Sequence, residues 1–229
     1  MSINHGGNTL TYSESNGEIT ITGGTITNSD LVIPETISGK PVVAIGNTAF
    51  SASNNNDPIT TVSFPSSLET IGFAAFYNKS ITAITFPEDS SLKEIKNGAF
   101  QNNSISTISF PSSIEKIRDT TFENNAISSL HFPVSLKTIG WGAFRYQTIN
   151  SVTFAGTSAQ NAGNLESIGQ YAFSKNAMSE EYGNDFDNTY DGVAWTNPAD
   201  LPSWFKPPVS TQSSASGSGD PYISPFFAN

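Results

Sequence analysis

The segment Ile59–Phe76 reads ITTVSFPSSLETIGFAAF, and close copies of it begin at Ile81, Ile105, Ile127 and Ile149. A unit this short cannot enclose an apolar face by itself. Copies at a steady period therefore stack, each burying its neighbour, and the product is a solenoid with one continuous core. Aligning the copies gives columns. Val62, Ile84, Ile108, Leu130 and Val152 each stand two residues before Phe64, Phe86, Phe110, Phe132 and Phe154. The residues between them are Ser, Thr or His, the period-2 pattern of a strand with one buried face. Proline follows Phe in four copies, at Pro65, Pro87, Pro111 and Pro133. It has no amide hydrogen to donate, so it ends the strand.

A second column of short strands is expected at Ile71, Ile95, Ile117, Ile139 and Ile168, followed by an Ala-Phe turn at Phe76, Phe100, Phe122, Phe144 and Phe173. Two phenylalanine ladders result, and Phe110, central in the first, is expected to be core. The small residue before each turn Phe lets the coil pass close to the next. After the second-column Leu or Ile come Glu69, Lys93, Glu115, Lys137 and Glu166. Their alternating sign predicts an exposed ion ladder between coils about 4.8 Å apart.

The pattern L-x-x-I-x-F-P-x-S-L-x-x-I-G-x-x-A-F-x-x-N resembles the BspA-type leucine-rich repeat of bacterial surface antigens. Five full copies carry it, and LVIPETISGKPVVAIGNTAF at Leu31–Phe50 looks like the degenerate first repeat of that family. The family often has Cys three residues after the turn Phe. This chain has Lys79, Asn103, Asn125, Gln147 and Asn176 there. An amide in that slot is expected to satisfy turn backbone as a short ladder. The resemblance implies a right-handed β-rich solenoid of about six coils over residues 31–176. It also implies a non-enzymatic surface or secreted module that binds a protein or glycan.

An open solenoid needs covered ends. Residues 1–30 alternate and are Thr-rich, which predicts a β-hairpin cap. Residues 177–209 mix acidic residues with Tyr182, Phe186, Tyr190, Trp195, Trp204 and Phe205 and read as a C-terminal cap. Residues 210–220 are a flexible Ser/Gly linker by composition. The apolar tail 221–229 reads either as a segment that docks on a neighbouring subunit or as a stub. Two insertions, SASNNNDP before Ile59 and AGTSAQNAGN after Phe154, are expected to be rim loops.

With 20 acidic against 10 basic residues the net charge is −10, which repels phosphate backbones and excludes nucleic acid as a partner. There is no cysteine, hence no disulfide or thiolate metal site. No apolar run reaches the roughly 18 residues of a membrane span. MSINHGGNTLTYS lacks the basic and apolar regions of a signal peptide. Either a signal has been removed, or the protein leaves the cell another way, or it stays inside; an extracellular or cell-surface location is expected, with a virion fibre or decoration subunit as the structural alternative.

Catalytic motifs are lacking: no G-x-S-x-G, H-E-x-x-H or phosphate-binding glycine loop occurs. No cofactor is expected. Asp185, Asp187 and Asp191 offer oxygens of the kind Ca²⁺ takes, but off the EF-hand spacing, and the plainer reading is an acidic loop. Trp141, Arg145 and Tyr146 form an aromatic-basic cluster of the composition favoured at interface hot spots. His131, in an outward slot held elsewhere by Ser or Thr, completes the candidate contact residues.

Overall fold

The computed structural model describes residues 1–52, 59–155, 165–169, 171–173 and 194–195. Among them are sixteen short strands and no helix. The chain opens with a meander of β1 (Ser2–His5), β2 (Asn8–Ser15) and β3 (Glu18–Thr25), each antiparallel to the next. The turns are Gly6-Gly7 (φ 56° and 81°) and Asn16-Gly17 (φ 53° and 81°). Left-handed φ at both central residues marks a type I′ turn, whose twist suits a hairpin. One hairpin was expected here, and β1 adds a third strand.

The repeat region begins with β4 (Asp30–Val32), β5 (Thr36–Ile37) and β6 (Lys40–Ile45). Strand β6 pairs in parallel with β3, so the antiparallel meander passes directly into the parallel stack. Later coils contribute to two columns in turn: β7 (Thr61–Ser63) and β8 (Thr70–Ile71), then β9 (Ala83–Thr85) and β10 (Glu94–Ile95). The coil from Ile105 gives only β11 (Lys116–Ile117). The pattern resumes with β12 (Ser129–Phe132) and β13 (Thr138–Ile139), then β14 (Ser151–Phe154) and β15 (Ser167–Ile168). Finally β16 (Ala194–Trp195) lies parallel to β14.

The second column is continuous. It forms most of a ten-stranded sheet in which Ile45, Ile71, Ile95, Ile117, Ile139 and Ile168 pair in register. The first column is not. It divides into β4-β7-β9 and β12-β14-β16. The expected strand at Ile108–Phe110 is missing, and Phe110 is half-buried rather than core. Phe86 is half-buried too. The sequence departs from the repeat just there. Phe86 and Leu92 are joined by PEDSS, where the equivalent link after Phe64 is PSS.

The core is the other ladder. Phe50, Phe76, Phe100, Phe122, Phe144 and Phe173 stack at 5.2–5.5 Å between ring centroids. From Phe76 onward the rings lie within 7° of parallel. Isolated aromatic pairs prefer offset or edge-on geometry. Near-parallel rings follow here from identical side chains at identical places in successive coils. Phe64 and Phe110 meet the stack edge-on, at 5.7 Å from Phe76 and 5.8 Å from Phe122. The preceding small residues Ala75, Ala99, Thr121, Ala143 and Ala172 are fully enclosed, as expected.

The amide slot behaves as the sequence suggests. Asn103 Nδ2 donates to Phe76 O (2.8 Å) and Phe100 O (3.0 Å), while its Oδ1 accepts from Ile81 N at 2.9 Å. Asn125 repeats this one coil on, with Phe100 O (2.9 Å), Phe122 O (2.8 Å) and Ile105 N (3.0 Å). Gln147 donates to Phe122 O and accepts from Ile127 N. Each side chain thus joins its own coil to the preceding one with a satisfied polar network.

Candidate interaction surface

Four successive coils, those of Phe76, Phe100, Phe122 and Phe144, make the turn with left-handed backbone at two fixed slots, and the coils of Phe50 and Phe173 share the first of them. Two residues before the Phe stand Thr48, Ala74, Gly98, Thr120, Gly142 and Tyr171, with φ between 48° and 62°. Two residues after it stand Asn78, Asn102, Asn124 and Tyr146, with φ between 55° and 58°. Asn and Gly tolerate this conformation. A tyrosine does not gain from it, because its Cβ crowds the following carbonyl at a cost of about 1–2 kcal/mol. The turns are nevertheless held firmly: Thr120 N donates to Trp141 O (2.8 Å), Phe122 N to Ala143 O (2.8 Å) and Asn124 N to Arg145 O (2.9 Å).

The two tyrosines in these slots converge on one cation. The Arg145 guanidinium carbon lies 4.6 Å from the ring centroid of Tyr146, 5.6 Å from that of Trp141 and 6.0 Å from that of Tyr171. Trp141 meets Tyr171 edge-on at 5.9 Å, and its backbone N–H donates to Asp119 Oδ1 at 2.9 Å. Tyr146 is the exposed member at 37%; the other three are partly buried. The structure therefore joins Trp141, Arg145 and Tyr146, as their spacing suggested, and adds Tyr171. That residue was overlooked because it belongs to the next coil. The signal was in the columns: GQYAF sets an aromatic beside the Trp141 slot of the previous copy.

His131 stands elsewhere. It faces outward on β12, paired in register with Thr153 of β14, and its Nδ1 lies 2.7 Å from Thr153 Oγ1. It belongs to the Ser/Thr face and not to the aromatic cluster. Asp185, Asp187 and Asp191 lie outside the described residues, as do most of both insertions, residues 177–193 and 196–209, and the tail. Among the described residues no group of three or more His, Asp or Glu could hold a metal ion.

The charged column is realised in part. Lys137 Nζ donates to Glu115 Oε2 at 2.6 Å. That hydrogen bond, with the charge behind it, holds the Glu115 carboxyl below the usual carboxylate range and the Lys137 ammonium above its own. Arg118–Glu94 and Lys40–Glu14 add two further ion pairs. A guanidinium held among three rings gives a stiff contact surface, and cation–π attraction adds about 0.5–1 kcal/mol at a part-exposed site.

The stacked parallel coils and regular turns define a β-solenoid repeat protein. The chain belongs to the BspA type leucine rich repeat family, with six copies matched over residues 43–180. It is similar to the crystal structure of the Treponema pallidum leucine rich repeat protein, with 29% identity and a TM-score of 0.54 over 63% of this chain and 68% of that one. A leucine rich cell surface protein of Faecalibacterium prausnitzii shares 19% identity with a TM-score of 0.55, over 76% of this chain and 52% of that one. A leucine-rich repeat protein of Bacteroides ovatus gives 18% and 0.50, over 73% and 56%. The chain spans about half the length of these last two, which speak for the fold alone. No curated protein matches the chain at a significant level. Among the described residues no helix is long and apolar enough to cross a membrane.

Proposed function

We propose that this chain is a non-enzymatic interaction module of a cell-surface or secreted protein, with Trp141, Arg145, Tyr146 and Tyr171 as the anchor for a protein or glycan partner. The observation that carries this reading is the pair of tyrosines in left-handed slots around one arginine. Asn fills the Tyr146 slot in the three preceding coils, at Asn78, Asn102 and Asn124, and Gly, Ala or Thr fills the Tyr171 slot in the others. Sparsely populated backbone conformations cluster at functional positions, and here two of them carry large part-exposed rings around one cation. Rigid aromatic anchors also lose little side-chain entropy on binding. Membership of the BspA-type family supports this reading.

The test begins with binding of the whole protein to arrays of extracellular-matrix proteins and glycans. Replacing Trp141, Arg145 and Tyr146 together by Ala is expected to weaken the strongest interaction at least tenfold, about 1.4 kcal/mol. Unchanged affinity in a folded variant would move the site to the Ser/Thr face around His131. Tyr146→Asn separates strain from contact. It is expected to raise stability by about 1 kcal/mol, by relieving the left-handed backbone, while lowering affinity.

A further inference from the structure

The break in the first column has a mechanical meaning. Over Ser106–Phe110 no backbone N–H or C=O makes a hydrogen bond to another described residue. On either side the coils are tied. Ser104 N donates to Ile81 O at 2.8 Å, and Ala126 N donates to Ile105 O at 3.0 Å. The phenylalanine ladder is interrupted at the same level. Phe64 stacks on Phe86 at 5.0 Å and Phe110 on Phe132 at 5.5 Å, but no ring contact joins Phe86 to Phe110. On the opposite side of the coil nothing is broken. There Glu115 N donates to Lys93 O at 2.9 Å, Ile95 pairs with Ile117, and Phe100 stacks on Phe122 at 5.4 Å.

A stack that is bonded along one side and, around one coil, unbonded along the other is the geometry of a hinge. The ties at Ile81 and Ile105 keep neighbouring coils at bonding distance beside the break, so it is a narrow wedge and not a slot for an added strand. We infer that the solenoid is two rigid blocks that bend about the continuous second column, with the wedge at Ser106–Phe110 opening and closing. The block before the wedge carries the meander, and the block after it carries the Trp141 cluster. Bending therefore changes the angle at which that cluster is presented. The two residues Glu88 and Asp89 that lengthen the preceding Phe86–Leu92 link are the device that keeps the wedge open.

The experiment uses the full chain, whose lack of cysteine allows clean labelling. Amide exchange followed by mass spectrometry is expected to show Thr107–Phe110 exchanging at least about tenfold faster than the equivalent residues Thr61–Phe64 and Ser129–Phe132. Nitroxides on Ser63→Cys and Ser151→Cys, which bracket the wedge, are expected to give a broader distance distribution than labels on Thr70→Cys and Ser167→Cys along the second column. Deleting Glu88 and Asp89 restores the FPSSL link and is expected to narrow the first distribution. Equal protection in the three segments, or equal width for the two label pairs, overturns the hinge whether or not the deletion variant folds.

Discussion

Asn125 is part-buried among backbone groups from two coils, to which it makes three hydrogen bonds. Replacing it with Ala leaves Phe100 O, Phe122 O and Ile105 N without that partner. An unmet buried polar group costs about 1–3 kcal/mol, and urea unfolding of Asn125→Ala is expected to show a loss in that range. The two phenylalanine columns differ more sharply. Phe122 is fully enclosed and stacked on both faces, whereas Phe110 is half-buried and stacked on one. Phe122→Ala is expected to cost about 3–5 kcal/mol. Phe110→Ala is expected to cost less than half as much in the same titration, because part of its surface is already wet. Equal losses would show that the wedge closes in solution.

Strands of two residues, such as β8, β10 and β11, have no stability of their own. They persist because each is bonded on both sides and carries an isoleucine into the core. Charge between coils adds register more than strength, and Glu115–Lys137 is the clearest case. The lowered carboxyl of Glu115 contributes above the unfolded carboxylate pKa of about 4.3 and is lost as pH falls through its folded value. The raised ammonium of Lys137 contributes fully below about 10.4 and is lost as pH rises through its folded value. The stability difference between the wild type and Lys137→Gln is thus expected to be level at neutral pH and to shrink at both extremes. Thermal unfolding across pH checks this; a difference that grows in acid would refute the pairing.

At the scale of the molecule, the open end of the stack meets a meander whose Leu10, Ile19 and Ile21 are fully enclosed in the same core as Phe50 and Ile71. The β3–β6 pairing covers the edge that β6 would otherwise present. A chain lacking residues 1–28 exposes that edge together with Val42, Ile45 and Phe50. Uncovered parallel edges recruit other chains. Light scattering after size exclusion is expected to show higher-order species for this variant. A monodisperse and equally stable truncation would mean that the stack closes its own end.

The repeat was legible because most coils repeat one local decision: an apolar-polar alternation, a proline stop, a small residue before the turn Phe and an amide. Periodicity alone therefore determined the solenoid, the inner phenylalanine stack, the amide ladder and the neighbourhood of Trp141, Arg145 and Tyr146. What it could not show depends on how one coil sits against the next. Two extra residues at Glu88-Asp89 are a small change along the chain, yet they coincide with a lost strand, because pairing needs matched heights in neighbouring coils. Phe110 reads like Phe132 by sequence, and only the absent Phe86 contact makes it a half-buried rim. Tyr171 joins the aromatic cluster from another coil, and the left-handed φ that sets Tyr146 apart is a property of the stacked turn. Local pattern chooses the element; the distance and register between coils decide which residues are core, which are strained and which face solvent.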